Sequence, residues 1–162
     1  MQHQYKIFVD LDGVLCDFAA HVLAVTGETF TNNNRQDRDL WNKVNAIQEA
    51  GEPFYSIMDK TPDADVLWQY ILSHQPSILT STGKYYDYAR AEKISWVERH
   101  FTGYADILTV PQSALKAQYA APSHILIDDR MKSIEPWRAA GGIGILHTDA
   151  HSTLQQLDSL GV

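Results

Sequence analysis

Two pairs of aspartates, each placed directly after a short apolar run, constrain the fold of this chain more than any other feature. The first pair is Asp10 and Asp12, and the second is Asp128 and Asp129. Apolar runs of this length are typical of buried strands in a parallel sheet, and ligands bind at the carboxyl ends of such strands. The pattern therefore predicts a parallel sheet whose carboxyl edge collects four carboxylates.

Apolar runs alternate with helical stretches after residue 60, which is the pattern of βαβ units. Residues 17–60 break this rhythm, because they contain two helical stretches around a polar loop and no convincing strand. We predict an α/β fold with a mainly parallel sheet flanked by helices, in which residues 1–16 and 61–162 form the core. Residues 17–60, called the insertion below, form a small helical addition after the first strand. The predicted strands are 5–10, 77–81, 106–110, 124–128 and 143–147. The predicted helices are 17–26, 37–50, 85–101, 113–120, 134–140, 150–160 and one that starts at Thr61-Pro62-Asp63, with the Thr61 hydroxyl as its N-cap.

The charge balance excludes some classes of partner. Twenty acidic residues against thirteen basic ones give a formal charge of −7, which repels nucleic acid polymers and anionic membranes. The single cysteine, Cys16, cannot form an internal disulfide, and no apolar run approaches the length of a membrane span. We therefore expect a cytoplasmic protein that binds neither nucleic acid polymers nor membranes. Homodimerisation through exposed aromatic residues stays open.

The four aspartates predict a metal site. Converging carboxylates without compensating bases repel one another, so such a cluster usually holds a cation. A ligand set made only of oxygen suits Mg²⁺. An isolated aspartate at a strand end often only caps a turn, but two pairs on two apolar strands favour the metal.

Hydroxyl and ammonium groups elsewhere in the chain complete a predicted phosphate site. Thr80 and Ser81 end a third apolar run, just before Gly83, and can offer hydroxyl and N–H groups to phosphoryl oxygens. Lys116 can balance the acids and hold the phosphate. Each has a simpler alternative, a plain strand-end residue for Thr80 and a solvated charge for Lys116. Their combination with the aspartates favours the phosphate site.

These segments resemble, in order, the four motifs of the haloacid dehalogenase (HAD) superfamily of phosphohydrolases. Asp10-Leu11-Asp12-Gly13-Val14 is similar to the first motif, Thr80 to the second, Lys116 to the third and Asp128-Asp129 to the fourth. The finer resemblance is to the 5′(3′)-deoxyribonucleotidase group. It covers the segments Val9-Asp10-Leu11-Asp12-Gly13-Val14-Leu15-Cys16-Asp17-Phe18, Leu79-Thr80-Ser81, Glu92-Lys93-Ile94-Ser95-Trp96-Val97-Glu98 and Leu126-Ile127-Asp128-Asp129-Arg130.

The resemblance implies a Rossmann-like core, with the insertion as a cap over the site, and it implies a mechanism. Asp10 is then the nucleophile that forms an aspartyl-phosphate, and Asp12 is the general acid and base. Mg²⁺ is implied at the Asp10 carboxylate, the Asp12 backbone carbonyl and the Asp128-Asp129 pair. Thr80 and Lys116 are implied to bind phosphoryl oxygens, with N–H groups near Leu11 and Ser81. Because the gap from Lys116 to Asp128 is longer than is usual in that group, Lys84 and Lys93 remain alternatives to Lys116.

The substrate implied by the resemblance is a nucleoside monophosphate, and deoxyribonucleotides are favoured. A nucleobase needs a flat apolar face, for which Phe18 and Trp41 are the first candidates and Phe30, Phe54 and Tyr55 further ones. Three alternatives are weighed against this hypothesis. They are another small phosphomonoester such as a sugar phosphate, a phosphatase acting on nucleic acid ends, which the acidity and the cap disfavour, and a non-catalytic phosphate-binding module, which the intact set of motif residues disfavours.

Overall fold

The computed structural model describes residues 4–31, 37–83 and 86–162. Within these residues five strands form one sheet, and all neighbouring strands are parallel. The strands are β1 (Lys6–Val9), β2 (Ser77–Ser81), β3 (Ile107–Val110), β4 (His124–Asp128) and β5 (Ile143–Leu146). The helices are α1 (Phe18–Thr26), α2 (Arg38–Glu49), α3 (Ala64–Ile71), α4 (Tyr86–His100), α5 (Met131–Ala139) and α6 (Ala150–Ser159), with 3₁₀ helices at Leu72–His74 and Ser113–Tyr119.

The strand order is β3-β2-β1-β4-β5, which places β1 in the centre between β2 and β4. The predicted α/β class with a parallel, Rossmann-like sheet is therefore confirmed. Each predicted strand is found within a residue or so of its expected bounds. The central position of β1 brings its carboxyl end beside the ends of β2 and β4.

Alternation along the strands gives the sheet two apolar faces. Ile7 and Val9 of β1 belong to the larger core, which packs against α3, α4 and α6, whereas Phe8 points to the opposite face. There Phe8 contacts the ring of Trp137 on α5, with ring centroids 5.3 Å apart. Because both faces of the sheet are covered, its strands are apolar throughout and not alternating in polarity.

The start of α3 differs from the prediction. Thr61 was expected to cap this helix, but the helix begins at Ala64 and no side chain makes a cap hydrogen bond there. The Thr61 hydroxyl instead donates to the carbonyl of Val14, at 2.8 Å. This long-range bond ties the end of the insertion to the turn after β1, and it replaces the local bond that a cap would make.

The insertion leaves the core and returns to it at neighbouring points. The Asp17 N–H donates to the carbonyl of Asp59 and the Thr61 N–H to that of Leu15, each at 2.9 Å. These bonds join the two connections of the insertion close to the predicted bounds of 17 and 60. The division into a core and a cap remains a prediction.

Helix α4 of the core holds the returning segment, residues 54–58. The Glu92 carboxylate accepts N–H groups from Phe54, at 2.7 Å, and from Tyr55, at 3.3 Å, as well as the Ser56 hydroxyl, at 3.0 Å. One helical turn later the Trp96 indole N–H donates to the carbonyl of Met58 at 2.8 Å. The segment that carries Tyr55 is thus fixed by backbone contacts to a core helix.

Replacing Glu92 by Gln is expected to loosen this segment. Glu92→Gln exchanges one acceptor oxygen for an NH₂ group that faces backbone donors, so the free energy of unfolding should fall by about 1–3 kcal/mol. Urea denaturation measures that loss, and hydrogen exchange should accelerate at the amides of residues 54–56. Glu98→Gln, an exposed position on the same helix, is the control. Unchanged protection at residues 54–56 would contradict the assigned role.

Candidate active site

The site is organised by Asp10, the residue that follows β1. Its N–H continues the sheet by donating to the Ile127 carbonyl at 3.0 Å, which fixes the backbone at the carboxyl edge. Asp10 Oδ1 lies 2.9 Å from the Lys116 ammonium, and the same ammonium lies 2.6 Å from Asp128 Oδ2. The predicted motif residues Asp10, Lys116 and Asp128 therefore meet in one buried ion cluster.

The charges in this cluster depend on one another. Burial opposes the charge of Lys116, but the Asp10 and Asp128 carboxylates outweigh burial and raise the pKa of the ammonium. Burial and the neighbouring Asp10 carboxylate raise the pKa of Asp128 to about 7, although Lys116 acts in the opposite direction. Lys116 therefore stays protonated, and its one positive charge compensates only part of the negative charge of the carboxylates around it.

Asp10, Asp128 and Asp129 fit a divalent cation. Each offers one carboxylate oxygen, and the three oxygens lie within 4.8 Å of one another. Three carboxylates against the single ammonium of Lys116 leave a formal charge of −2, which a divalent cation balances. The donors are all oxygen, as Mg²⁺ prefers.

Gly13 allows Asp129 to take its place in this group. Gly13 has a φ of +82°, and a Cβ atom at this position would lie 2.3 Å from Asp129 Oδ2. Both the left-handed backbone and the close approach require glycine. Gly13, directly after the first aspartate pair, therefore makes room for the second pair.

The side chain of Asp12 is not one of the three carboxylates that fit the cation, and it is paired with Lys93 of α4. Lys93 Nζ lies 2.7 Å from Asp12 Oδ2, 3.0 Å from the Thr80 hydroxyl and 2.7 Å from the Ser81 carbonyl. The other carboxylate oxygen of Asp12, Oδ1, is buried and has no hydrogen-bond partner in the described part of the chain. The buried Lys93 ammonium therefore links the ends of β1 and β2. Among the described residues, one oxygen of the Asp12 carboxylate accepts no hydrogen bond.

The sequence offered Lys93 only as an alternative phosphate-binding cation. Its position on α4 within the Glu92–Glu98 motif marked it, but nothing in the sequence shows which strand ends it would reach. Lys116, the first choice, is fully buried beneath Asp10. Lys84, the other alternative, lies outside the described residues.

A cavity of about 750 Å³ opens in front of Asp10 and Asp12. Phe18, Trp41 and Ser81, three of the predicted substrate-binding residues, line it. Thr80 and Lys116 do not appear in its lining, because they are buried at the edge of the sheet. The lining also contains polar residues that were not predicted to bind substrate, namely Asn45, Gln48, Thr82, Gln112, Ser113, Arg130 and Lys132.

The insertion supplies an aromatic wall to this cavity. The Phe18 ring is nearly parallel to those of Trp41 and Tyr55, with centroids 6.0 and 6.4 Å away, and meets Phe30 edge-on at 4.8 Å. Phe54 lies behind Phe18 in the core and does not line the cavity. Four of the five aromatic candidates thus face the same cavity as the aspartates.

Comparison with known proteins gives one family match. The model of the family "5′ nucleotidase, deoxy (pyrimidine), cytosolic type C protein (NT5C)" matches residues 4–156. No curated protein sequence matches the chain. None of the described helices is long and apolar enough to cross a membrane.

Several solved structures share the fold. A hydrolase from Pseudomonas syringae has a TM-score of 0.59 at 16% identity, covering 96% of this chain and 99% of its own. A haloacid dehalogenase-like family hydrolase from Streptococcus pneumoniae has a TM-score of 0.56 at 16% identity, covering 98% of both chains. The HAD hydrolase YfnB from Bacillus subtilis, solved with bound magnesium, has a TM-score of 0.56 at 14% identity, covering 98% of this chain and 99% of its own. These likenesses show that the fold is that of the HAD hydrolases.

Substituting Gly13 by Ala is expected to weaken cation binding. A Cβ at this position would push Asp129 away from Asp10 and Asp128, so the affinity for Mg²⁺ should fall by roughly tenfold or more. Calorimetric titration with Mg²⁺ measures the change. Gly27→Ala is a matched control, because Gly27 has a similar φ of +75° but no atom within 4 Å of an added Cβ. Equal Mg²⁺ affinity in the two variants would refute the proposed coupling between Gly13 and Asp129.

Proposed function

Given that the chain belongs to the 5′ nucleotidase, deoxy (pyrimidine), cytosolic type C family, we propose that it dephosphorylates deoxyribonucleoside monophosphates through an aspartyl-phosphate on Asp10. As a member of this family, the chain is a phosphoric monoester hydrolase. The main support for the substrate is one cavity that has the Asp10-Asp12 pair at one part of its wall and aromatic rings at another. A phosphate and a nucleobase on the same small molecule match these two surfaces.

Asp10 is the nucleophile in this proposal. One carboxylate oxygen attacks phosphorus, the bond from phosphorus to the ester oxygen breaks, and an aspartyl-phosphate forms. The Lys116 ammonium at Oδ1 fixes the orientation of the carboxylate, because Lys116 is itself held by Asp128. The nucleophile is therefore oriented before substrate binds.

Asp12 carries the proton. It donates a proton to the departing ester oxygen, and then it removes a proton from the water that attacks the aspartyl-phosphate, which releases phosphate and restores Asp10. The geometry supports this role, because Asp12 lines the cavity together with Asp10 and Lys93 holds its carboxylate through Oδ2. We place the transferred proton on this carboxylate.

Different residues would bind the phosphoryl oxygens and the cation. Asp10, Asp128 and Asp129, with the backbone carbonyl of Asp12, would hold Mg²⁺. When bound, the cation would shield the charge between the nucleophile and the phosphate. Ser81, on the cavity wall, would bind the phosphoryl oxygens, while Thr80, buried beside it, holds the Lys93 ammonium.

The removal of the nucleophile is the direct test of the mechanism. Asp10→Asn keeps the shape of the side chain and is expected to lower kcat by roughly a thousandfold or more, since no aspartyl-phosphate can form. Release of phosphate from a deoxyribonucleotide measures kcat, and circular dichroism checks that the fold is kept. Asp158→Asn, an exposed change on α6, should have near wild-type activity. Near wild-type turnover in Asp10→Asn would refute the mechanism.

A substrate panel tests the leaving group and the metal together. With Mg²⁺, deoxyribonucleotides should be hydrolysed with a higher kcat/KM than deoxyribose 5-phosphate, because only the former occupy the aromatic wall. EDTA should abolish hydrolysis of both, and added Mg²⁺ should restore it. A preference for sugar phosphates would identify a different phosphomonoesterase. No hydrolysis of any phosphomonoester with Mg²⁺ present would refute the proposed activity.

A further inference from the structure

The aromatic wall of the cavity does not by itself select a base. Phe18, Trp41 and Tyr55 present apolar rings, and every nucleobase has a flat face that stacks on such a surface. Discrimination between bases requires hydrogen bonds to the groups on the base edge. Polar side chains next to the aromatic wall are therefore the candidates for a specificity-determining residue.

Helix α2 places two amides beside this wall. Trp41, Asn45 and Gln48 all line the cavity, and they are spaced at four and then three residues along the helix. Side chains with this spacing lie on one face of an α-helix. Leu40 and Val44, on the adjoining face, are fully buried in the core and fix the rotation of the helix. The amides of Asn45 and Gln48 are therefore neighbours of the Trp41 ring on the cavity side.

The two amides differ in their surroundings. Asn45 is half-buried, so water can satisfy it, whereas Gln48 is only 4% exposed. Gln48 Nε2 is buried and has no hydrogen-bond partner in the described part of the chain. A buried amide without a partner is unfavourable, and such groups in folded proteins call for an explanation. A ligand in the cavity that Gln48 lines would supply the missing partner once the amide turns toward it.

We propose that Gln48 is a specificity-determining residue whose amide binds the edge of the nucleobase. This inference rests on the proposed function, since it requires a nucleotide substrate. A primary amide offers one acceptor oxygen and a donor NH₂ group. It can therefore pair with the N3–H and a carbonyl of uracil or thymine, or, turned over, with the amino group and N3 of cytosine. In this proposal the wild-type Gln48 side chain binds uracil, thymine and cytosine, and a base needs hydrogen-bonding groups on its edge to be bound.

Two substitutions separate this role from simple packing. Gln48→Glu keeps the size but removes the donor NH₂ group, so uracil and cytosine each keep one hydrogen bond to the side chain and lose the other. We expect kcat/KM to fall by about fivefold for both dUMP and dCMP. Gln48→Met keeps the length and removes hydrogen bonding, so kcat/KM should fall by about tenfold for both nucleotides. Hydrolysis of deoxyribose 5-phosphate, which has no base, should change by less than about twofold in either variant.

The experiment measures kcat/KM of the full chain with Mg²⁺ for dUMP, dCMP and deoxyribose 5-phosphate. Asn42→Leu, an exposed change on the same helix, is the control and should keep wild-type values. Hydrolysis of deoxyribose 5-phosphate also shows whether each variant is folded. If Gln48→Glu does not fold, the result for Gln48→Met decides the test. If the wild type hydrolyses both nucleotides and the Gln48 variants keep its kcat/KM values, the inference is overturned while the proposed function stands. If the wild type hydrolyses no nucleotide, the proposed function and this inference both fail.

Discussion

Repulsion among carboxylates at the carboxyl edge of the sheet is the constraint on which this structure depends. The parallel order of β2, β1 and β4 forces the aspartates that follow β1 and β4 together, and the fold must then compensate their charge. Two buried lysines do so from opposite sides. Lys116 bridges Asp10 and Asp128, and Lys93 pairs with Asp12. Removing one partner of a buried ion pair typically costs about 3–5 kcal/mol, so these lysines support the fold as well as the site.

The two lysines also give the two carboxylates of the first pair, Asp10 and Asp12, different surroundings. Asp10 shares the Lys116 ammonium with Asp128, which belongs to the carboxylates that fit a cation, whereas the Asp12 carboxylate pairs with Lys93 of α4. In the proposed mechanism, two residues separated by one position along the chain can therefore act as nucleophile and proton carrier. Gly13, directly after them, turns the backbone in the left-handed region and lets Asp129 approach.

Helix α4 connects this chemistry to the wall of the cavity. Glu92 and Lys93 are adjacent, and successive residues of an α-helix point in directions about 100° apart because there are roughly 3.6 residues in a turn. Glu92 accordingly reaches the returning segment of the insertion, while Lys93 reaches the strand ends and lies 4.7 Å from the centroid of the Tyr55 ring. One helix therefore sets the distance between the reactive carboxylate and the aromatic wall.

What the sequence could and could not predict follows from the range of each interaction. The strands and the convergence of the aspartate pairs were predictable, because apolar runs and strand order depend on local pattern and simple topology. The pairing of Lys93 with Asp12 was not, since it depends on the rotation of α4 about its axis. Thr61 carried a local helix-cap pattern, but a bond to the Val14 carbonyl replaced the cap.

Under the proposed function, the sheet, whose fold is shared with hydrolases at 14–16% identity, and the insertion have different roles. Asp10, Asp12 and Asp128 are attached to strand ends whose positions the hydrogen bonds of the sheet fix. Trp41 and Gln48 lie on α2 and line the cavity, whereas Lys93 and Lys116 pair with those carboxylates. Changes on α2 can therefore alter which leaving group fits without disturbing the reacting atoms. Under the proposed function, substitutions on α2 change the specificity while the compensated charges at the edge of the sheet stay in place.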